Sequence, residues 1–179
     1  MIRCVRLEDA AEIVAIYNPY ITDTTVTFET EPVSVEEMSR RITKIKDKEK
    51  GIFVVCEMDN HVVGYAYAHP WKERAAFLYT WETAVYVASE HQGKGFGPML
   101  MEKLIEQCRG CRVHALVACV VADNQNSLRM HARLGFHQVS HFKEVGYKFG
   151  RWLGVIDYEL ILNNPKNCEE NPIWMEKMS

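Results

Sequence analysis

Hydrophobic positions along the chain follow two periods. Over residues 10–20 and 96–108, apolar side chains recur every three or four positions, the spacing of one face of a helix. Elsewhere, β-branched and aromatic residues form short apolar runs, which predict strands at residues 2–6, 52–57, 62–69, 77–87, 113–121, 136–141 and 155–162. The two patterns interleave along the chain, so we expect an α/β domain with a mixed sheet.

Capping residues place two further helices. Ser34 is followed three positions later by Glu37, a pair typical of a capping box at the start of a helix. Asp123 or Asn124 caps a second helix, which stops at Gly135.

The remaining segments set the domain limits. Residues 21–32 are polar and β-branched, which predicts a loop that could cover a site. The Lys/Arg-rich helix after this loop is expected to reach residue 50. We place one domain at residues 1–162 and leave residues 163–179 as an undefined tail, in which Trp174 could anchor a docked segment.

Composition narrows the classes of partner. The chain has 179 residues, 47% of them hydrophobic, which is enough for one full core. Lys and Arg total 21 against 24 Asp and Glu, and the net charge of −3 gives no general attraction to nucleic acid or to an anionic membrane. The N-terminus has no apolar signal core, and no apolar run reaches the ~18 residues of a membrane span, so we expect a cytoplasmic protein.

The six cysteines do not predict a metal centre. Cys108 and Cys111 have the spacing of a ligand pair, but no second pair follows and only His114 lies near. We therefore predict no metal and read the cysteines as reduced, mostly buried thiols.

Glycines at alternate positions join a predicted strand to a predicted helix. Gly93, Gly95 and Gly97 can turn successive backbone N–H groups toward one concavity, and the following helix adds the unpaired amides of its first turn. This arrangement suits a pyrophosphate, although a plain glycine-rich connector would show the same composition. The spacing fits neither a P-loop nor the dinucleotide fingerprint.

The string Gln92-x-x-Gly95-x-Gly97 resembles the signature of the GNAT superfamily of N-acetyltransferases. A second match follows at the correct distance, where Asn124-x-x-Ser127 opens a helix that ends in Gly-Phe. The resemblance implies a mostly antiparallel central sheet flanked by helices, with two strands splayed apart at an acetyl-CoA site.

The same resemblance implies which residues hold acetyl-CoA. They lie on the strand, in the glycine loop and at the start of the later helix: Val85, Tyr86, Val87, Gln92, Gly93, Lys94, Gly95, Phe96, Gly97, Pro98, Asn124 and Ser127. Pro98 removes one potential amide donor from the first helical turn.

Four further stretches lie at residues 25–32, 68–74, 82–87, and 129–131 with 150–152 downstream. With the signatures they span about residues 2–162, and they resemble the phosphinothricin and methionine sulfoximine acetyltransferase branch. The resemblance implies direct acetyl transfer, in a ternary complex, to the amino group of a small amino acid or analogue. Phe28, Trp71, Lys72 and Arg74 are the predicted acceptor-binding residues. Arg74 suits a carboxylate or phosphinate because guanidinium donates two parallel hydrogen bonds.

Two residues are candidates for proton transfer. Glu82 lies among aromatic residues, on the opposite strand face from Val85, so its pKa should rise into the range of a general base. The resemblance gives it that role. His131 stands where many superfamily members have a Tyr that protonates the departing thiolate, and a packed helix histidine is an equal alternative.

Other functions stay open at this point. A non-catalytic acyl-CoA-binding or regulatory protein would keep the glycine loop, but retention of Glu82 argues against it. A peptide or protein N-acetyltransferase needs an open groove, whereas the loop from Thr22 to Pro32 and the bulky Trp71 and Trp81 suggest a closed pocket. A homodimer is the assembly that we consider.

Overall fold

The fold is described from a computed structural model, for residues 1–46 and 51–162. The helices are α1 (Ala10–Asp23), α2 (Val35–Lys46), α3 (Phe96–Arg109) and α4 (Gln125–Arg133). The strands are β1 (Ile2–Cys4), β2 (Ile52–Met58), β3 (His61–Pro70), β4 (Thr80–Val87), β5 (Ala115–Val121), β6 (His137–Gln138), β7 (Phe142–Lys148) and β8 (Arg151–Ile161). The expected end of the basic helix at residue 50 and the 163–179 tail with Trp174 lie outside the described residues.

The eight strands form one mixed sheet in the order β1-β2-β3-β4-β5-β8-β6, and β7 pairs with β8. Every strand pair is antiparallel except β4 with β5. That parallel pairing covers only three residue pairs, from Thr80–Ala115 to Glu82–Val117. Beyond Glu82 the two strands separate, which confirms the predicted splay and opens a gap in the middle of the sheet.

Each face of the sheet carries its own apolar core. Helices α1 and α2 cover one face, where Phe53 and Tyr65 are buried, and we call this the acceptor face. Helices α3 and α4 cover the other face, with Leu104 and Leu116 in the core. Because side chains alternate along β4, Glu82 projects toward the acceptor face and Val85 toward the opposite core, as predicted.

The first helix is longer than its sequence suggests. Helix α1 continues through Pro19 to Asp23, so the predicted loop begins at Thr24 and not at residue 21. The hydroxyl groups of Thr22 and Thr24 donate hydrogen bonds to the carbonyl oxygens of Asn18 and Tyr20. These two carbonyl groups near the end of the helix therefore have side-chain partners.

The cap of α2 is only half of the predicted box. Ser34 accepts a hydrogen bond from the Glu37 amide at 3.1 Å, as a cap should. The Glu37 carboxylate, however, pairs with Arg40 and Arg41 instead of returning to the Ser34 amide. Asn124 caps α4 through the Ser127 amide.

The strand predictions need several corrections. Strand β4 begins at Thr80, because Ala75–Phe77 form a 3₁₀ turn. Strand β7 was not predicted, and β8 begins at Arg151, four residues before the expected start. Residues 136–141 supply only the two-residue β6.

The described cysteines are less buried than expected, since Cys56 and Cys108 are buried and Cys4, Cys111 and Cys119 are exposed. Residues 1–46 and 51–162 contain no group of three or more His, Cys, Asp or Glu side chains that could hold a metal ion. Within the same ranges, no helix is both long and apolar enough to cross a bilayer.

Candidate active site

The gap beside β4 exposes main-chain groups. The amide of Ala88 donates to Val63 O and the amide of Trp71 donates to Thr80 O, which fixes the alternation of the β3–β4 ladder. Within this ladder Tyr86 pairs with β3, whereas the N–H and C=O of Val85 are directed into the gap. Val87 is directed the same way but its main-chain groups bond to Tyr20, so of the three predicted strand residues Val85 is the one that offers an amide to a ligand between the strands.

The glycine loop has the geometry of an anion cradle. Gly93 and Gly95 have φ of +74° and +88°, conformations that favour glycine, and a Cβ on either would meet nothing within 4 Å. Gly95 is also the N-cap of α3, whose first bonded amide is that of Met99. The amides of Phe96 and Gly97 therefore stay available to a ligand, whereas Pro98 has none.

Gly97 lies beside α4. A Cβ at this position would lie 3.4 Å from the sulfur of Met130, an ordinary contact with the flexible end of a side chain, so packing alone does not require glycine at residue 97.

His131 is a buried residue of α4. Its exposed fraction is 3%, and burial lowers its pKa, so the ring is neutral at pH 7. Nδ1 lies 2.9 Å from the carbonyl oxygen of Ser127, which can only accept, so Nδ1 carries the proton. Nε2 then has no proton to give, and the ring packs edge-on against Phe136. This environment favours the packing alternative over the general acid.

Glu82 lies at the last residue pair before β4 and β5 separate. Its side chain is half-buried on the acceptor face, opposite His69 of β3. Burial raises the pKa of Glu82, the Asp157 carboxylate raises it further, and His69 opposes both. A carboxylate of raised basicity thus lies at the edge of the gap, three residues before Val85 on the same strand.

A cleft of about 540 Å³ opens on the acceptor face. It is lined by Phe28, Cys119, Phe142, Val145, Gly146, Tyr147, Val155 and Asp157. Phe28 lies so close to Gly146 that a Cβ there would fall 2.1 Å from the ring, so any larger residue at this point of β7 would require the Phe28 ring to move. Loss of hydration of the thiolate and the negative charge of the Asp157 carboxylate raise the pKa of Cys119 to about 12. Its sulfur is therefore a neutral thiol and a poor nucleophile.

The structure brings only one of the four predicted acceptor residues into this cleft, namely Phe28. Trp71 and Lys72 stack on each other, with Nζ 3.8 Å from the ring centre, in the exposed loop between β3 and β4. Arg74 is exposed in the same loop. Trp81 lies on the opposite sheet face, buried, with its indole N–H donated to Leu78 O, so it cannot close the pocket.

Several residues of the acceptor side were missed. Glu29 receives two hydrogen bonds from Arg41 and one from Tyr17, and these lower its pKa although partial burial opposes them. Lys148, 4% exposed, donates to Thr27 O at 2.7 Å. Together these contacts hold the 24–32 loop against α1, α2 and β7.

Tyr20 was also missed, on the cofactor side. Its hydroxyl lies 2.6 Å from Val87 O, 3.3 Å from Val87 N and 2.9 Å from Gln92 Nε2. Val87 and Gln92, both predicted to bind the cofactor, therefore already have a hydrogen-bond partner in Tyr20.

Comparison with known proteins agrees with this geometry. Residues 2–156 match the family described as the acetyltransferase (GNAT) domain. Phosphinothricin N-acetyltransferase of Alcaligenes faecalis is 38% identical over 90% of this chain and 82% of its own. L-Methionine sulfoximine/L-methionine sulfone acetyltransferase of Salmonella typhimurium is 36% identical over 87% of this chain and 90% of its own.

Solved structures resemble the chain to a similar degree. The yncA protein of Salmonella typhimurium, solved with its cofactor acetyl-CoA, superposes with a TM-score of 0.88 at 34% identity, over 92% of this chain and 94% of its own. Ribosomal-protein-alanine N-acetyltransferase of Brucella melitensis superposes with a TM-score of 0.87 at 33% identity, over 90% and 99%. The proteins that this chain resembles are therefore named both for small acceptors, phosphinothricin and methionine sulfoximine, and for a macromolecular acceptor, a ribosomal protein.

Proposed function

Because the chain belongs to the GNAT family of acetyltransferases and uses acetyl-CoA as acyl donor, we propose that its acceptor is the α-amino group of a small amino acid or analogue, resembling phosphinothricin or methionine sulfoximine. The observation that carries the proposal is Glu82, a carboxylate of raised pKa at the point where β4 and β5 separate. It faces the same side of the sheet as the aromatic cleft.

The residues present fit acetyl-CoA. The open space at Gly93 and Gly95 and the free amides of Phe96 and Gly97 suit a pyrophosphate, and the amide directed into the gap from Val85 suits the acyl carbonyl. Asn124 and Ser127, with Lys94 exposed in the loop, complete the proposed cofactor site. Acetyl-CoA supplies the activated acyl group.

Glu82 performs the proton transfer that the acceptor needs. An amino acid's ammonium group has no lone pair, so one proton must leave before nitrogen can attack. Glu82 takes this proton, directly or through one water, and its raised pKa brings its basicity closer to neutral pH. The acceptor nitrogen and the acyl donor meet in a ternary complex, so no residue of the chain is acylated.

The departing thiolate needs no help from His131. A thiol of ordinary pKa, about 8.5, forms a competent leaving group in water. We therefore propose that His131 acts by packing α4 against Phe136, and that Arg74, with Trp71 and Lys72, meets the acceptor's anionic group from the exposed loop.

A protein N-terminus is the second candidate acceptor, because one similar structure is an enzyme of that kind. The cleft is also more open than the sequence indicates, since Trp81 does not close it. The anchored 24–32 loop, however, narrows the acceptor face, which favours a small substrate.

An acceptor panel tests the proposal. The purified chain is incubated with acetyl-CoA and, in turn, methionine sulfoximine, phosphinothricin, single amino acids and hexapeptides, and products are identified by mass spectrometry. We expect acetylation of a free amino acid or analogue, with a rate constant kcat/KM at least roughly tenfold above that of any peptide. Preferential peptide acetylation, or binding of acetyl-CoA without any turnover, would overturn the proposal.

Assembly is a separate proposal. Large apolar residues more than half exposed concentrate around the β7–β8 hairpin: Val139, Phe142, Val145, Tyr147, Phe149 and Trp152. We propose that this surface, the hairpin patch, pairs two copies of the chain, because it is continuous with the cleft that Phe142 and Tyr147 also line.

The cytoplasm is the proposed compartment, since acetyl-CoA is required.

A further inference from the structure

The C-terminal half of α1 carries two tyrosines that contact different halves of the site. The rings of Tyr17 and Tyr20 both pack edge-on against Tyr86 of β4, with centroids 4.9 and 5.2 Å away. Their hydroxyl groups diverge. Tyr17 bonds to Thr27 and Glu29 of the 24–32 loop, whereas Tyr20 bonds to Val87 and Gln92.

The Tyr20 hydroxyl connects the end of β4 to the start of the glycine loop. Val87 is the last residue of β4, and Gln92 is the first residue of the Gln-x-x-Gly-x-Gly string. One hydroxyl donates to Val87 O and accepts from both Val87 N–H and the Gln92 side-chain amide, so its hydrogen-bonding capacity is fully used.

The loop is held at its two ends by backbone hydrogen bonds from the Gln92 amide to Ser89 O and from the Met99 amide to Gly95 O, but it has few other restraints between them. Gln92 to Gly95 are exposed, and nothing lies within 4 Å of a Cβ at Gly93 or Gly95. The amides of this loop can bind an anion tightly only if their positions are fixed before the ligand arrives. The Tyr20 hydroxyl supplies such a restraint at the point where the loop begins.

We infer that Tyr20 is a positioning residue for acetyl-CoA: its hydroxyl locks the glycine loop onto the end of β4 and thereby orders the pyrophosphate-binding amides. This inference rests on the proposed cofactor site. It makes α1 the element that organises both substrates, through Tyr20 on the donor side and Tyr17 on the acceptor side.

Two matched substitutions test it. Tyr20→Phe and Tyr17→Phe each remove one hydroxyl from the same helix and keep the ring against Tyr86. Acetyl-CoA affinity is measured by calorimetry without any acceptor, and both Michaelis constants are measured at saturating co-substrate. For Tyr20→Phe we expect acetyl-CoA affinity to fall roughly 5- to 20-fold, as for the loss of one or two hydrogen bonds, with the acceptor KM changed by less than about twofold. Tyr17→Phe should show the reverse.

A third variant separates positioning from general stability. Gln92→Met keeps the length of the side chain but removes its donor, so in the double variant with Tyr20→Phe the losses of acetyl-CoA affinity should not add. Unchanged acetyl-CoA affinity in Tyr20→Phe, additive losses, or equal effects of both tyrosine variants on both constants would overturn the inference. If the unaltered chain binds acetyl-CoA but acetylates none of the small amines, the acceptor proposal fails while the Tyr20 inference still stands or falls on affinity alone.

Discussion

At the scale of single residues, Glu82 combines basicity with a cost in stability. Its folded pKa is raised above the ordinary glutamate value, so between those two values the native state binds more protons than the unfolded state. The contribution of Glu82 to the free energy of unfolding therefore falls as pH rises from the ordinary glutamate pKa to the raised pKa of the folded state. Above it the half-buried carboxylate is charged and destabilising.

Glu82→Gln should therefore unfold at the same temperature as the unaltered chain or a higher one at pH 7, while losing activity. The stability advantage should shrink as pH falls below the raised pKa, because the unaltered side chain then becomes neutral too. Thermal unfolding of both proteins, followed by circular dichroism between pH 4 and pH 8, measures the difference. A variant clearly less stable than the unaltered chain at pH 7 would mean that the carboxylate makes a structural contact.

The sequence predicts those site residues that lie close together along the chain. It misses those that only the fold brings together. Glu82 and the three glycines were recognisable because spacing along one strand and one turn defines them. Lys148 was not, since its partner Thr27 is 121 positions away and a lone lysine in a polar run carries no signal. Trp81 was misassigned from its bulk alone, whereas alternation along β4 already places it on the opposite sheet face from Glu82.

At the scale of elements, the glycine loop owes its function to backbone conformation. Gly95→Ala forces a side chain into the left-handed region, which costs about 1–2 kcal/mol or shifts the loop. We expect acetyl-CoA affinity to fall roughly 10- to 100-fold, because charge-assisted amide contacts to phosphate are lost. Calorimetric titration with acetyl-CoA measures it.

Gly150→Ala provides the matched control. Gly150 also has a positive φ, +76°, with open space at its Cβ, but it lies in the β7–β8 turn. This variant should lose a similar amount of stability and keep its acetyl-CoA affinity. Equal affinity losses in the two variants would show that the effect comes from general destabilisation and not from the loop.

The elements also show why some boundaries were not predictable. In strand β7, Lys143, Glu144 and Gly146 interrupt the strand-forming residues Phe142, Val145 and Tyr147, so no regular alternation is visible in the sequence. It forms because β8 offers a partner, and the register shifts between Phe142 and Gly146. Helix α1 passes Pro19 although proline usually ends a helix, because tertiary packing on β3 and β4 overrides the local preference.

At the scale of the whole molecule, the hairpin patch predicts a dimer. Light scattering coupled to size exclusion should give twice the 20.7 kDa mass of one chain. Trp152→Glu should shift the mass to that of a monomer, because Trp152 is 60% exposed and a charge there would be buried between copies. Leu7→Glu, at a residue that is 54% exposed on another element, should leave the dimer intact. A monomeric unaltered chain would contradict this assembly.

The central claim, that Glu82 removes the acceptor's proton on an acetyl-CoA-dependent acetyltransferase, is tested most directly by the pH dependence of kcat in Glu82→Gln. The account predicts a loss of about 10²- to 10⁴-fold at pH 7 with little change in acetyl-CoA affinity. The loss should shrink as pH approaches the acceptor amine's own pKa, where free amine is available without a base. Turnover near that of the unaltered chain at pH 7, or a loss independent of pH, would contradict it.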